Sequence, residues 1–558
     1  MKNRLLKKFR WYVLATAVMG LAFIPLSFTD TNYFEISKNL DIFATLYKEL
    51  NSYYVDNIEP GKLIRTGIDA MLESLDPYTQ FISEADMEDY RLQTTGKYGG
   101  IGALIRKIGD WVVVAEPYQG FPAANAGLIA GDKILEIDGI SVKGKNTDEV
   151  SKMLKGQAGT KVRVKFSRLV AGGTEKESEV MITREEIKIY NVQYAGMVND
   201  AIGYIRLSNF TENAGNEVKE ALEKLKQENP SMRALIFDLR GNPGGLLNEA
   251  VNVSNIFLPK GQEVVSTRGK VKEWDKTFRT NYPPVDATIP LAVLTNKGSA
   301  SASEIVAGSI QDLDRGIIVG QKTFGKGLVQ TTRPLTYNTK LKVTTAKYYI
   351  PSGRCIQAIN YAERDSTGSV VRIPDSLKVA FKTVSGRTVY DGGGIDPDIP
   401  VEPMKLSNIS IALLQNNLIF NYATIYHAEH DQIPPPREFS LTDKEYEKFM
   451  AYLADKDYDY TTKSEELLEK FEKSSQEEKY YEGIKEDFLK LKNSVMHDKQ
   501  KDLIKHKEEI KDLLEEEIVS RYYHRVGRIE KSFESDPDLK AAIEALNDTV
   551  RYTALLRP

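Results

Sequence analysis

The spacing of hydrophobic positions changes along the chain and predicts regions of different structure. Between about residues 32 and 83, apolar residues recur at helical spacing, among them Leu40, Phe43, Leu46 and Leu50. From about Tyr98 to Arg184 the pattern changes to short apolar runs between turns, which is typical of a small β-rich domain. Its predicted strands are 111–114, 133–137 and 162–166, with a strong turn at 138–139.

The following region, from about Ile189 to Pro403, alternates short apolar runs with helical segments, which predicts an α/β core. Its predicted strands are 202–207, 234–238, 291–294 and 341–345. Past about Met404 the composition shifts, and three prolines at 434–436 introduce a long run rich in Glu, Lys and Leu. That run predicts helices, and the stretches 464–492 and 501–517 predict a helical bundle or a coiled-coil-like surface for a partner.

The amino terminus predicts transfer across a membrane. Five basic residues between Lys2 and Arg10 precede an apolar stretch from Trp11 to Phe28, the pattern of an export signal. These 18 residues are long for a cleaved signal, and no clean cleavage site follows, so an uncleaved anchor through residues 11–28 stays open. We expect an exported, periplasmic or cell-envelope protein, with no second membrane span.

Composition narrows the classes of function. A chain of 558 residues predicts about three to four domains, and its net charge of −4 gives no reason to expect nucleic acid binding. With Cys355 as the only cysteine, no intrachain disulfide is available. The five histidines are scattered over the last third of the chain, which argues against a metal site and favours solvated helix surface. They are His427, His430, His497, His506 and His524.

Two segments, 298–304 and 323–327, carry the candidate chemistry. The first histidine is His427, so a serine nucleophile in this stretch would have to use lysine as its base. Ser301 directly precedes a predicted helix, whose first N–H groups and dipole suit a developing oxyanion. Lys326 lies between glycines and close to the apolar run 315–320, where desolvation would favour the neutral, basic amine.

Together these segments resemble the C-terminal processing peptidases, or tail-specific proteases, which use a serine–lysine dyad. Residues 296–305 resemble the family's nucleophile segment, and the spacing of 25 residues between Ser301 and Lys326 is the family's spacing. The resemblance implies that Ser301 is the nucleophile and Lys326 the general base. It also implies that Gln330 holds the lysine in place.

Residues 237–245 resemble the family's oxyanion loop. The resemblance implies that the backbone N–H groups of Gly245 and Ala302 hold the oxyanion. The choice between Gly244 and Gly245 stays open, because the sequence does not fix which N–H group points inward.

The β-rich region resembles a PDZ domain. Its segment 98–103 is similar to the carboxylate-binding loop, which implies that Gly100, Ile101, Gly102 and Ala103 bind a peptide C-terminus. A predicted helix at 148–154 would form the other wall of that groove. Arg168 would then either link ligand occupancy to the protease, as a basic residue does in relatives, or be a surface arginine.

The resemblance implies a crotonase-like protease core and an inserted β-rich PDZ domain. The residue patterns add a helical N-terminal region and a helical C-terminal domain, so we expect a multidomain α/β protein. The predicted boundaries are 1–28 for the export segment, 29–88 for the helical N-terminal region, 89–188 for the PDZ domain, 189–403 for the core and 404–558 for the C-terminal domain. We expect a serine endopeptidase that needs no metal or cofactor. Its partners would be protein or peptide substrates, and a homo-oligomer could form through the N- or C-terminal helices.

The sequence allows three other interpretations. The segment 320–326 follows a candidate strand and matches most of a phosphate-binding loop, but Gly327 stands where that loop needs serine or threonine, so nucleotide binding is disfavoured. Acyl-CoA chemistry on a crotonase-like core would follow from shared architecture alone. A noncatalytic PDZ scaffold or chaperone is the main competing hypothesis, and the presence of Ser301, Lys326 and Gln330 argues against it.

Overall fold

The computed structural model describes residues 30–364, 370–496 and 498–557. The predicted export segment and His497 therefore lie outside the described residues. The chain divides into two compact units, one ending at Pro77 and one beginning at Tyr78. Across the described ranges, none of the helices combines the length and the apolar character that a bilayer span requires.

The first unit contains two helices, α1 (Asp30–Tyr53) and α2 (Pro60–Glu73). Pro60 at the first position of α2 has no N–H group to leave unsatisfied, which suits a helix start. The Tyr47 hydroxyl donates to the Pro60 carbonyl at 2.6 Å. The helical prediction for residues 32–83 is correct for these two segments but wrong at its end, because Gln80–Ile82 form a strand.

The second unit begins with β1 (Gln80–Ile82), a short 3₁₀ turn and α3 (Met87–Thr95). Helix α3 ends at Gly96, whose φ of 70° gives the left-handed C-terminal cap that glycine adopts without strain. The β-rich region follows. Its elements are β2 (Lys97–Gly100), β3 (Ala103–Ile108), β4 (Trp111–Pro117), α4 (Pro122–Asn125), β5 (Lys133–Ile137), β6 (Ile140–Ser141), α5 (Thr147–Leu154), β7 (Lys161–Val170), β8 (Thr174–Thr183) and β9 (Glu185–Lys188).

The β-rich region forms an antiparallel sheet in the order β3-β4-β5-β7-β8, with β6 paired to β5. The predicted turn at Asp138-Gly139 joins β5 and β6, and both residues have positive φ, 51° and 81°, as a tight two-residue hairpin requires. Strands β2 and β9 pair with each other. The chain thus enters and leaves this region through one two-stranded stem.

The core follows the stem, and its described residues form two larger sheets, two two-stranded sheets and three α-helices. Its strands are β10 (Val192–Met197), β11 (Ile202–Leu207), β12 (Ala234–Asp238), β13 (Glu263–Gly269), β14 (Lys276–Arg279), β15 (Leu291–Thr295), β16 (Ile317–Gly320), β17 (Leu328–Pro334), β18 (Lys340–Tyr349), β19 (Ile359–Arg364), β20 (Val370–Arg372), β21 (Ala380–Lys382), β22 (Thr388–Tyr390) and β23 (Ile399–Pro400). The two-stranded sheets are β19–β20 and β21–β22. Its helices are α6 (Ala214–Glu228), α7 (Leu247–Phe257) and α8 (Ala302–Asp312).

The main sheet has the order β10-β11-β12-β15-β16-β23 and is parallel apart from β10. All residues of β12, β15 and β16 are buried, as expected for parallel strands covered on both faces. The smaller sheet has the order β1-β18-β13-β14, with β17 also paired to β18. Helices α6, α7 and α8 share one hydrophobic core with the main sheet.

The C-terminal region is helical, as its composition predicts. Its helices are α9 (Asn408–Gln415), α10 (Leu418–Glu429), α11 (Asp443–Tyr452), α12 (Lys463–Glu477), α13 (Tyr481–Val495), α14 (Lys499–Lys505), α15 (Lys507–Ser532), α16 (Pro537–Asn547) and α17 (Thr549–Leu556). Part of this region forms its own core, to which α9, α10, α11, α14 and α15 contribute. The predicted domain boundaries themselves stay predictions.

The last helices also complete the α/β core. Ile529, Phe533 and Leu539 pack in one cluster with residues of the main sheet. The Phe533 ring lies 5.6 Å from the Tyr194 ring and 5.0 Å from the Tyr204 ring, in edge-to-face arrangements. The C-terminal helices therefore cover the face of the sheet that α6, α7 and α8 leave open.

Two histidines of this region differ from the expectation of solvated helix surface. The His430 ring stacks on Tyr426 at 4.0 Å between centroids. His427 lies 4.8 Å from the Tyr522 ring, and burial lowers its pKa, as do Arg521 and Arg168. The prediction is wrong for these two residues because the helices pack on each other through their aromatic faces.

Candidate active site

Ser301 lies at the sharp turn between β15 and α8, in a backbone conformation with φ 55° and ψ −112°. Such a conformation is strained for a residue other than glycine and persists only where the surroundings hold it. The holding contacts are local. The Ser301 N–H group donates to Glu304 Oε2 at 2.8 Å, in a capping box at the start of α8.

Lys326 lies between β16 and β17, in the glycine-flanked turn that the sequence indicates. Its Nζ atom lies 4.1 Å from the centroid of the Tyr78 ring. The Tyr361 hydroxyl in turn donates to the Tyr78 hydroxyl at 3.2 Å. One face of the lysine amine is therefore covered by an aromatic ring that is itself held in place.

Glu304 connects the serine turn to the lysine turn. Its Oε2 atom accepts from the N–H groups of Ser301 and Lys326, at 2.8 and 2.9 Å. Its Oε1 atom accepts from the Gly325 N–H group at 2.7 Å and the Thr323 hydroxyl at 2.6 Å. The carboxylate is fully buried, and this burial raises the pKa of Glu304 to about 7 against the lowering effect of the four hydrogen bonds.

Tyr348 makes a second connection between the same two turns. Its buried hydroxyl lies within hydrogen-bond distance of the Ser301 carbonyl at 3.2 Å and also of the Lys326 carbonyl. Burial raises the pKa of this phenol well above its usual value, so it stays a donor at any physiological pH. Glu304 holds the N–H groups of both turns and Tyr348 the carbonyls, so the positions of Ser301 and Lys326 are fixed relative to each other.

The glycine loop after β12 lies directly against Ser301. A Cβ atom on Gly244 would stand 2.8 Å from the Ala302 nitrogen and 2.9 Å from Ser301 Cβ. The Gly244 N–H group donates to Asn242 Oδ1 at 2.9 Å and is therefore occupied. Within the described residues, the N–H groups of Gly245 and Ala302 make no such bond. This geometry favours Gly245 over Gly244 as the donor that the sequence left open.

Ion pairs of Arg240 anchor the glycine loop that follows β12. Arg240 forms ion pairs with Asp238, Asp536 and Asp538 at 2.8, 2.7 and 3.0 Å. Burial alone would raise the pKa of Asp238, but the charge of Arg240 and its hydrogen bonds hold that pKa below its usual range. Since Asp536 and Asp538 belong to the start of α16, the C-terminal region helps to position the loop beside Ser301.

Gln330 lies on β17, four residues after Lys326, so the two are separated by an extended stretch rather than a helical turn. Its Nε2 atom donates to Thr344 Oγ1 on β18 at 3.2 Å. The Thr344 N–H group donates to Thr79 Oγ1 at 3.2 Å. The Gln330 amide is thus fixed by the neighbouring strand.

One cavity of about 560 Å³ brings the predicted catalytic residues together. Ser301, Lys326, Gln330, Gly245 and Ala302 all line it. Apolar side chains form much of the remaining wall. These are Leu92, Ile189, Leu246, Leu247, Ile305, Leu328 and Val329.

Part of the cavity wall comes from the two ends of the β-rich region. Residues 90–96 precede its first strand and Ile189 follows its last strand, and both segments line the cavity. The Ile189 N–H group donates to the Gly96 carbonyl at 2.8 Å, which joins the two ends.

The predicted peptide-binding residues lie outside this cavity, where β2 turns into β3. Gly100 and Ile101 are buried, and Gly102 has a φ of 74°, with Phe121 Cβ 2.6 Å from where its own Cβ would be. Ala103 begins β3, which is the edge strand of its sheet. An edge strand beside a helix, here α5, is the arrangement by which a peptide can add to a sheet.

Arg168 is partly exposed, and its guanidinium is held by a buried partner. Its guanidinium binds the fully buried Asp132 carboxylate through two hydrogen bonds of 2.7 and 2.6 Å. It also donates to the Gly127 carbonyl at 2.6 Å. These contacts lie within the β-rich region and fix the turn before β5.

Sequence reasoning missed the residues that hold Ser301, Lys326 and the glycine loop, namely Glu304, Tyr348, Asn242 and Tyr78. A signal for Glu304 was present, because Ser-x-x-Glu before an apolar run is a capping-box pattern. Tyr348 lies on a distant strand, and no local pattern marks it. Among the residues that the structure describes, no group of three or more His, Cys, Asp or Glu residues is arranged to hold a metal ion.

Comparison with known proteins gives matches to the β-rich region, the α/β core and the C-terminal helical region. A model of peptidase family S41 matches residues 201–365. A PDZ domain model matches residues 113–168, and a model described as a probable PDZ-protease C-terminal helical domain matches residues 409–546.

Similar proteins carry related descriptions. The chain is 38% identical to a carboxy-terminal-processing protease of Bartonella bacilliformis over 60% of this chain and 76% of that protein. It is 36% identical to a probable CtpA-like serine protease of Staphylococcus aureus (strain COL), over 62% of this chain and 68% of that protein. The solved structure of a photosystem II D1 C-terminal processing protease is 28% identical, with a TM-score of 0.34, over 65% of this chain and 92% of that one.

These matches confirm the predicted α/β architecture of a protease core with a PDZ domain and a helical C-terminal domain. They also confirm the resemblance that the sequence motifs indicate. At this identity, over most of the length of a carboxy-terminal-processing protease, the chain belongs to peptidase family S41.

Proposed function

We propose that the protein is an exported serine endopeptidase of the carboxy-terminal-processing type, which hydrolyses peptide bonds with a Ser301–Lys326 dyad. The observation that carries this proposal is the cavity that holds both residues together with two unoccupied backbone donors. Family membership supports the reaction class. The dyad is supported by the two connections, through Glu304 and Tyr348, that hold the serine and lysine turns together.

In the proposed reaction, Ser301 Oγ attacks the carbonyl carbon of the scissile peptide bond. Lys326 Nζ accepts the hydroxyl proton and then delivers it to the leaving amine as the C–N bond breaks. The N–H groups of Gly245 and Ala302 stabilise the oxyanion of the tetrahedral intermediate, and Gln330 orients the lysine. Water, activated by the same amine, then hydrolyses the acyl-enzyme and returns the proton to Ser301.

The proposed role of the PDZ domain is to bind protein C-termini, for delivery of the substrate or for regulation. The carboxylate would bind the loop 100–103, and the peptide would pair with β3 beside α5. The open edge of β3 supports this proposal. The exported, periplasmic or cell-envelope location and membrane attachment through residues 11–28 rest on the amino-terminal sequence pattern alone.

A homo-oligomer through the terminal helices is also a proposal. Helix α1 supports it, because its apolar side chains are exposed over several turns. The exposed fractions are 63% for Leu40, 47% for Phe43, 53% for Leu46 and 38% for Leu50.

The test is cleavage of an unfolded model protein by the purified full chain, with Ser301→Ala and Lys326→Ala as variants. Lys322→Ala serves as a matched control, because Lys322 lies four residues before Lys326 and pairs with Asp396 at 2.9 Å. We expect the wild type and Lys322→Ala to cleave and both dyad variants to be inactive while folded. Equal cleavage by all four proteins would reject the dyad, and no cleavage by any would favour a noncatalytic PDZ scaffold.

A further inference from the structure

The catalytic cavity contains a second amine that the proposed reaction does not use. Lys342 lies on β18 opposite Thr332 of β17, and both residues line the cavity. Side chains alternate between the two faces of a strand, so Lys342 lies on the same face as Thr344. Thr344 holds Gln330, and Tyr348 holds the serine and lysine turns. Lys342 thus continues the row of residues that builds the site.

The cavity has an excess of positive charge. Its lining contains two lysines, Lys326 and Lys342, and no Asp or Glu. The nearest buried carboxylate to the dyad is Glu304, whose two oxygens are occupied by four hydrogen bonds. An anion entering the cavity would therefore meet amines and no opposing carboxylate.

Lys342 has no protein partner for its charge. Across the part of the chain that the structure describes, its side chain forms neither an ion pair nor a hydrogen bond. Other half-buried lysines of this unit do pair, such as Lys133 with Glu175 at 2.6 Å and Lys188 with Glu217 at 2.9 Å. Burial lowers the pKa of Lys342, which is the cost of a cation without a partner. A bound carboxylate would remove that cost.

We propose that Lys342 forms a carboxylate-binding subsite of the catalytic cavity and selects substrates that place a carboxylate a few residues from the scissile bond. The distance follows from the strand, because Lys342 lies two residues, or about 7 Å, beyond Thr344, the partner of Gln330. The carboxylate is either the C-terminus of the substrate or an Asp or Glu side chain. This inference rests on the proposed protease function.

The experiment measures peptide binding by Ser301→Ala, in which substrate is not consumed. The probes are fluorescent ten-residue peptides in matched pairs. One pair differs in a free or amidated C-terminus, and the others differ in Glu or Gln at single positions. Each pair is measured with Lys342 intact, with Lys342→Met and with Lys347→Met. Lys347 is the matched control, because it is exposed on the same strand and does not line the cavity.

We expect at least one pair to show about tenfold tighter binding of the carboxylate form, since a charge-assisted bond is worth that much. Lys342→Met should abolish the preference, and Lys347→Met should keep it. The PDZ domain is the same in all three proteins, so its contribution cancels in the comparison. A preference confined to the free C-terminus identifies terminal recognition, and one confined to a Glu position identifies an acidic side chain.

Two results would overturn the inference. One is a Lys342→Met protein that keeps the carboxylate preference for every pair, and the other is a Lys342 protein that shows no preference at all. Lys342→Arg is the control for misfolding, because this variant keeps the positive charge and should keep the preference for the carboxylate form. The proposed function is judged separately, from cleavage of the same peptides by protein with Ser301 intact, so either proposal can fail without the other.

Discussion

Replacement of Glu304 by glutamine tests whether one buried carboxylate sets the geometry of the proposed Ser301–Lys326 dyad. The carboxylate accepts from Ser301, Lys326, Gly325 and Thr323 at 2.6 to 2.9 Å. An amide offers one oxygen and one NH₂ group in the same space. In either orientation of the amide, the NH₂ group takes the place of one carboxylate oxygen. The two donors that bonded to that oxygen then lose their acceptor.

The free-energy cost of Glu304→Gln is set by the amide orientation that disturbs the site less. If the NH₂ group replaces Oε1, Thr323 can rotate its hydroxyl, but the buried Gly325 N–H group is left unsatisfied, at about 1–3 kcal/mol. When the hydrogen bond to Thr323 is also reversed, so that the NH₂ group donates to the Thr323 hydroxyl, the free energy of unfolding falls by about 2–4 kcal/mol in total. The other placement breaks the connection between Ser301 and Lys326 directly. Displacement of either reacting group by about 1 Å reduces kcat/KM by up to about 100-fold.

The assay compares kcat/KM for peptide cleavage with amide hydrogen exchange of segments 298–304 and 323–328. We expect Glu304→Gln to lower kcat/KM by about 10- to 100-fold, mainly through kcat, and to accelerate exchange in both segments. Glu149→Gln is the control, because Glu149 occupies the same capping position in the exposed start of α5. If Glu304→Gln kept kcat/KM within about threefold of the wild type, with unchanged exchange, the positioning role would be refuted.

Three further outcomes are expected. Gly244→Ala should lower kcat/KM by more than about 100-fold, because its Cβ would collide with the Ser301 turn, whereas Gly261→Ala, at a similar φ in open space, should leave activity unchanged. Burial raises the Glu304 pKa from 4.5 to about 7, so the folded state holds an extra proton in that range. The unfolding free energy of the wild type relative to Glu304→Gln should therefore fall, by at most on the order of 3 kcal/mol, as pH rises from about 4.5 to 7, and stay level above it, in denaturant titrations. Phe533→Ala should cost about 3–5 kcal/mol of stability by calorimetry, and an unchanged melting temperature would contradict the packing of the C-terminal helices on the core.

The sequence predicts most of the fold because its hydrophobic patterns are strong. The buried strands of the main sheet and the hairpin at Asp138-Gly139 have local signatures, an apolar run and a turn that needs positive φ. Strand β1 was missed because its three residues are too few to show a period, and it exists only through pairing with β18.

Ser301 and Lys326 of the candidate site were singled out from the sequence and lie in one cavity, but the residues that hold them were not predicted. Ser301 and Lys326 lie in short, distinctive segments, so motif and spacing suffice. Tyr348 and Arg240 act through partners 47 and 296 residues away along the chain, at distances that only the folded structure fixes. The choice between Gly244 and Gly245 depended on the Asn242 side chain, whose direction no sequence pattern specifies.

The stem formed by β2 and β9 carries both chain crossings of the PDZ domain, which also contacts the C-terminal helices, for example through the ion pair of Glu116 with Arg525. Both chain crossings meet at the hydrogen bond between Gly96 and Ile189, and the segments beside that bond are part of the catalytic wall. The polypeptide is therefore continuous from the stem of the PDZ domain into the wall of the cavity that holds Ser301 and Lys326.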